Sequence, residues 1–200
     1  MPADGEELIV RDAKAWRRWL AKHGAQGSPV WLVLARKGVV DPTELTYQQA
    51  LEEALCFGWI DGQKASRDAH TFAQRFTPRR LRSPWSARNV ELIAALIADG
   101  RMTPAGQLAV DEAKADGRWD RAYPGQAGIQ VPSDFAAELK ANPRAAAMFE
   151  ILTRQNRYSI LLRIASAKRQ DTRLRRVEQY IAMLDRGETI YPQKQQLDQQ

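Results

Sequence analysis

The sequence predicts an α+β fold, mainly helical, with a small antiparallel sheet and a C-terminal helical module. Three observations lead there. Apolar residues recur at helical spacing through most of the chain, and three short stretches near 30–36, 59–65 and 70–77 carry strand patterning. A connector with proline and glycine, residues 119–131, then separates the part holding the strands from a part that is helical throughout. The expected organisation is a core domain over 1–120, a helical module over 121–192 packed on it, and a polar, disordered tail over 193–200. With 200 residues, 44% hydrophobic content and six tryptophans, the chain can bury a substantial core.

Asp12 is placed to cap a first helix in which Trp16, Trp19, Leu20 and His23 share a face, with Gly24 at the position after the C-cap. The run Val30-Trp31-Leu32-Val33-Leu34-Ala35 is apolar on both alternating faces, which predicts a buried strand. Thr46 and Gln49 form a capping box before the stripe Tyr47, Ala50, Leu51, Ala54, Leu55. Strands over 59–65 and 70–77 are expected to pair as a hairpin, with Phe72, Gln74 and Phe76 alternating against Ala73, Arg75 and Thr77. Val90, Ile93, Ala94 and Ile97 then trace a helix closed by Gly100, and Thr103-Pro104 opens another, closed by Gly117. Ser133 and Asn142-Pro143 open two short helices, followed by two longer ones broken near Arg169-Gln170. The stripes nominate Tyr47, Leu51, Leu55, Ile93, Ile97, Leu174, Val177 and Ile181 as core positions.

One cysteine, Cys56, and two histidines, His23 and His70, leave no intramolecular disulfide and no Cys/His ligand cluster, so neither a metal nor another cofactor is expected. The first ten residues lack the basic, then apolar, pattern of a secretory signal, and no window approaches the ~18 apolar residues of a membrane span. A cytoplasmic protein is expected. The net charge of +6 is concentrated late, residues 121–200 holding 13 Lys/Arg against 8 Asp/Glu, which suggests an anionic partner or simply serves solubility.

The chemistry-bearing residues concentrate in 55–86. Gly58-Trp59-Ile60-Asp61-Gly62-Gln63 sets a carboxylate and an amide beside an indole, and Arg75, Arg79, Arg80, Arg82 and Arg88 follow with no acidic residue between Ala69 and Val90. Trp59, Asp61, Gln63 and Trp85 are pocket candidates, with Arg75 as an electrostatic partner. Asp61 is the one weak catalytic candidate, as a general acid or base raised by burial; turn chemistry or a structural ion pair explains it equally. Cys56 sits near a helix C-terminus, where the dipole disfavours a thiolate, and reads better as core. Arg75, Arg79 and Arg80, ahead of a helix N-terminus, are anion-binding candidates, with Phe76 and Trp85 as stacking platforms or core anchors. Arg169, Arg173, Arg176 and Tyr180 fall on one helical stripe, a second candidate cationic surface or a solvated face.

The words GWIDGQ, QRFTPRR, SPWS, GRMTPAG and AKADGRW, in that order, together with Asn156-Arg157-Tyr158 and the run over 167–176, resemble the YdeI/OmpD-associated, or bacteriocin-protection, family from about Val10 to Pro192. That family's run typically reads A-K-R-x-E-T-R-x-R-R-I; here Asp171 replaces the Glu and Val177 the Ile. The resemblance implies a bacterial stress or bacteriocin-tolerance protein and brings no catalytic motif. The residues then support two readings. The first is a non-enzymatic cytoplasmic protein binding nucleic acid or a phosphorylated ligand. The second is an enzyme acting on a small anion in a cleft around Trp59, Asp61 and Arg75, for which no second acid or base lies close by. The balance of residues favours binding over catalysis.

Overall fold

The computed structural model describes residues 7–125, 128–167 and 169–197. The chain divides into two compact units, the first ending at Ala122 and the second beginning at Tyr123. Among the described residues there are eight α-helices and one four-stranded sheet, so the fold is α+β and mainly helical.

In the first unit, Asp12 Oδ1 accepts from the Ala15 N–H at 2.7 Å and starts α1 (Ala13–His23). Gly24 is right-handed and continues into a 3₁₀ turn, Gly24–Gln26; it is Gly27, at φ 74°, that takes the left-handed turn expected of Gly24. β2 (Val30–Ala35) is buried at every position, as its two-sided apolar pattern requires. α2 (Tyr47–Cys56) opens on the capping box of Thr46 and Gln49, and Trp16 Nε1 on α1 donates to the Ala50 carbonyl on α2 at 3.1 Å.

β3 (Trp59–Ser66) and β4 (Thr71–Pro78) form the expected hairpin, and β4 also pairs antiparallel with β2. The sheet is not purely antiparallel as predicted. A two-residue strand, β1 (Glu7–Leu8), adds to β2 in parallel, giving the order β1-β2-β4-β3. Two residues show no alternation, and a parallel partner is remote in sequence, so no local pattern announces β1. One face of the sheet packs Val30, Leu32, Leu34, Phe72, Phe76 and Trp59 against Trp16 and Leu20.

α3 (Ala87–Ala98) is capped by Ser86 and α4 (Pro104–Ala115) by Thr103. They enclose a second cluster of Leu51, Leu55, Cys56, Trp85, Ile93, Leu96 and Val110. α4 approaches α2 so closely that the Thr103 N–H and hydroxyl both donate to the Cys56 carbonyl, at 3.0 and 2.6 Å. A Cβ on Gly106 would lie 2.2 Å from that carbonyl oxygen, so only glycine fits.

In the second unit, α5 (Ser133–Ala141), α6 (Pro143–Glu150), α7 (Arg154–Ala165) and α8 (Gln170–Asp185) pack around Phe135, Met148, Phe149, Ile160, Ile164, Val177, Tyr180, Ile181 and Leu184. Asn156 is fully buried: its Nδ2 donates to the Tyr191 carbonyl and to Gln193 Oε1, and its Oδ1 accepts from the Tyr191 N–H at 2.8 Å. Gln193, where the disordered tail was expected to begin, is thereby bonded to α7, and Leu197 packs on the core of this unit. Residues 198–200 of that expected tail lie outside the described residues.

Leu51, Leu55, Ile93, Val177 and Ile181 are core residues as predicted, and Tyr47 is half-buried. Ile97 and Leu174 are not: they are 41% and 47% exposed. α3 is apolar on two sides, and the stripe it buries runs through Asn89, Ile93 and Leu96 rather than Val90, Ile93 and Ile97. Leu174 sits in the second turn of α8, whose buried face begins at Val177 and includes Tyr180.

Candidate functional site

The residues nominated as a pocket are not brought together. Trp59 is a core residue of the sheet face, its indole edge-on to Trp19 at 6.0 Å, whereas Trp85 belongs to the cluster of α3 and α4. Between Asp61 and Lys64 β3 has one residue more than β4, a bulge that breaks the alternation linking Gln63 to Trp59. Gln74, buried on β4, closes this bulge by donating from Nε2 to the Gly62 and Gln63 carbonyls at 2.9 and 3.1 Å. The Gln63 side chain is exposed.

Asp61 pairs opposite Phe76 and therefore faces α2, while Arg75, one residue away on β4, faces the other side of the sheet. The expected Asp61–Arg75 partnership is thus excluded by strand alternation. Asp61 instead accepts from the Tyr47 hydroxyl at 2.9 Å. Burial, and then the Asp61 carboxylate, push the Tyr47 phenol up to about 12. Arg88 stands 5.6 Å over the Tyr47 ring and donates to Gln48 Oε1.

Cys56 is fully buried, and burial pushes its thiol up despite the neighbouring Arg17. Beside it lies a charge cluster that spacing did not reveal. Glu53, buried on α2, is held by Arg17 at 2.7 Å and Arg101 at 2.8 Å, and Arg101 also reaches Glu52. A shallow groove of about 560 Å³ adjoins it, lined by Lys14, Arg17, Arg18, Ala21, Phe57 and Thr103.

The loop after β4 carries the densest arginines. Arg79 lies 3.6 Å over the Trp85 ring and donates to the Pro84 carbonyl at 2.7 Å, so Trp85, buried beneath it, is a core anchor rather than an open stacking platform. Arg80 and Arg82 are exposed, and their side chains have no ion pair or hydrogen bond among the described residues. Arg82 has φ 74°, a left-handed conformation that is costly for any residue but glycine. Arg118 reaches the same loop, donating to the Ser83 carbonyl at 3.1 Å while Asp116 holds its Nε.

The stripe on α8 differs from its prediction. Tyr180 is buried in the core and accepts from Arg163. Arg173 grips Asp134 of α5 with two bonds of 2.6 and 2.8 Å, holding that carboxyl below the usual carboxylate range. Arg176 donates to the Arg163 carbonyl and to Ser166 Oγ, and Arg169 pairs with Asp171 on the surface. The continuous ridge is therefore a set of internal ties. Among the described residues no group of three or more His, Cys, Asp or Glu could hold a metal ion, and no helix is long and apolar enough to cross a membrane.

Residues 8–109, just over half of the chain, match the family model described as a domain of unknown function (DUF8412). The chain belongs to that family. Its match covers every helix and strand of the first unit from Leu8 to the middle of α4, including Asp61 and the arginine loop. Residues 129–187 match a second model, described as bacteriocin-protection, YdeI or OmpD-associated. The YdeI/OmpD-associated resemblance thus holds, and it is the helical second unit that matches this model, whereas the words from GWIDGQ to GRMTPAG fall within the DUF8412 match. No curated protein and no solved structure matches the chain.

Proposed function

We propose that this DUF8412 protein is a non-enzymatic binding protein whose partner is a phosphate-bearing polyanion, engaged in the cytoplasm by the loop over 79–83 and the adjoining start of α3. The observation that carries the reading is the state of Arg80 and Arg82, which reach solvent with no partner among the described residues beside the anchored Arg79 and Arg118. Arg82 is retained at a left-handed position where glycine would be less strained, and strain of this kind collects at functional sites. Support for binding over catalysis comes from the two reactive candidates: Asp61 is engaged by Tyr47, and Cys56 is a buried core thiol. Bacteriocin protection is part of the description attached to the family matched by the second unit, and we extend that role to this chain as part of the proposal.

With Trp85 covered by Arg79, the contact is to phosphates and not to bases, so little sequence preference is expected. Fluorescence anisotropy with labelled single- and double-stranded oligonucleotides at low salt tests this. Each phosphate contact on B-DNA should contribute a slope of about −0.9 in log K against log salt, so Arg80→Ala with Arg82→Ala should flatten it by roughly two units. Absence of binding at about 50 μM protein, weaker than ordinary non-specific affinity, sinks the proposal.

A further inference from the structure

The groove of about 560 Å³ beside Glu53 takes no part in the arginine loop. One wall is α1, where Lys14, Arg17, Arg18 and Ala21 fall at i, i+3, i+4 and i+7 and so share a face. The other is formed by Phe57, the C-cap of α2, and Thr103, the N-cap of α4. Arg17 ties the two walls together: its guanidinium stands 5.3 Å over the Phe57 ring, pairs with Glu53 and donates to the Arg101 carbonyl at 2.9 Å.

Charge and apolar surface are both laid out in this groove. Lys14 and Arg18 are exposed and have neither an ion pair nor a hydrogen bond among the described residues. α1 carries no acidic residue to offset them, and Glu52 and Glu53 of α2 are already taken by Arg101 and Arg17. Like charges one turn apart on a helix repel, so a carboxylate brought to the pair is favoured. The N-terminal end of α4 adds positive potential at Thr103. Between these charges the lining is apolar, from the half-buried Phe57 ring, Ala21 and the stems of the cationic side chains.

A phosphate backbone has nothing to place on that apolar lining, whereas an apolar side chain flanked by carboxylates meets both parts of the groove. Its shallowness favours a peptide laid along it over a small molecule, which needs a site that encloses most of its surface. We propose that this groove docks an acidic peptide segment of a partner protein, with one apolar side chain on Phe57 and Ala21 and flanking carboxylates on Lys14 and Arg18. Lys14 and Arg18 stand about 6 Å apart along the helix axis, the separation of alternate residues in an extended chain as well as of one turn of a helix.

Isothermal titration calorimetry on the full chain decides this, using the blocked peptide EELFEE, the neutral QQLFQQ, the anchorless EESSEE, and an oligothymidylate. EELFEE should bind saturably with a Kd of about 0.1 mM or tighter, and the neutral and anchorless peptides at least about tenfold more weakly. Lys14→Ala with Arg18→Ala should weaken EELFEE by about tenfold or more, and Ala21→Glu, which sets a carboxylate in the groove at an exposed helical position, should abolish its binding. A thermal melt of each variant shows that it is folded. No saturable heat from EELFEE up to about 1 mM, equal binding of QQLFQQ or EESSEE, or a Lys14/Arg18 double variant that binds as before would each overturn the proposal. So would an oligothymidylate that displaces EELFEE and itself weakens on the double substitution, which would make the groove a nucleic-acid surface.

Discussion

In the loop over 79–83 two arginines reach solvent without a partner among the described residues, whereas on α8 the arginines of the Arg169, Arg173, Arg176 stripe are each tied to a neighbour. The two stretches look alike in sequence: closely spaced arginines beside aromatic or apolar residues. What separates them is where the acidic groups and carbonyls of the fold fall. Asp134, 39 residues before Arg173, is delivered to it by the packing of α5 on α8, and among the described residues no equivalent carboxylate meets Arg80 or Arg82. A run of arginines is therefore evidence of a binding surface only after its internal partners have been sought.

The comparison can be broken most forcefully at Glu53, where the first unit does bind arginine internally. Glu53→Ala leaves Arg17 and Arg101 facing each other beside a buried site. Because both arginines are about a third exposed, the loss should be about 2–3 kcal/mol, below the ~3–5 of a fully buried pair. Denaturant unfolding measures it; a loss under about 0.5 kcal/mol would show that the cluster is a surface ornament.

Arg173→Ala should cost less, about 1–2 kcal/mol, because Arg173 and Asp134 remain partly hydrated. Its signature is pH dependence. The folded Asp134 carboxyl is held below its unfolded value, so its contribution is complete above the usual carboxylate range and is lost as pH falls from about 4 through the lowered value. Melting curves from pH 7 down to 2 should show this acid-side loss shrinking in the variant. An unchanged acid limb would remove Asp134 from the account.

The smallest effect is expected at Arg82. Arg82→Gly should leave stability unchanged or raise it by up to about 1 kcal/mol, since glycine relieves the positive φ, while weakening oligonucleotide binding. A stability loss above that size would make Arg82 a structural tie like those on α8, and the contrast between the two regions would collapse.

How far the sequence could be read follows from how local each signal is. Asp12, the Thr46–Gln49 capping box and Thr103-Pro104 announce their helices within four residues, and the β3–β4 hairpin declares itself by alternation. Ile97 and Leu174 were misplaced because α3 is apolar on two sides and α8 has an apolar residue one turn ahead of its buried face. The supposed pocket of Trp59, Asp61, Gln63 and Trp85 failed at the bulge, whose only sequence trace is Gly62, and at Trp85, which a loop carries away to another cluster. The groove of Lys14, Arg18, Phe57 and Thr103 draws on elements spread over nearly ninety residues, and no spacing rule connects its two walls.

Asn156 has a consequence for how the second unit yields to attack. Its amide clasps Tyr191 and Gln193, so the chain beyond α8 is fastened to α7 rather than trailing from it. A carboxypeptidase working backwards would meet resistance at Gln193, and trimming past Tyr191 would strip a sealed amide of its partners and loosen the helices behind it. The stretch that by composition looks most dispensable is the latch of the unit to which it belongs.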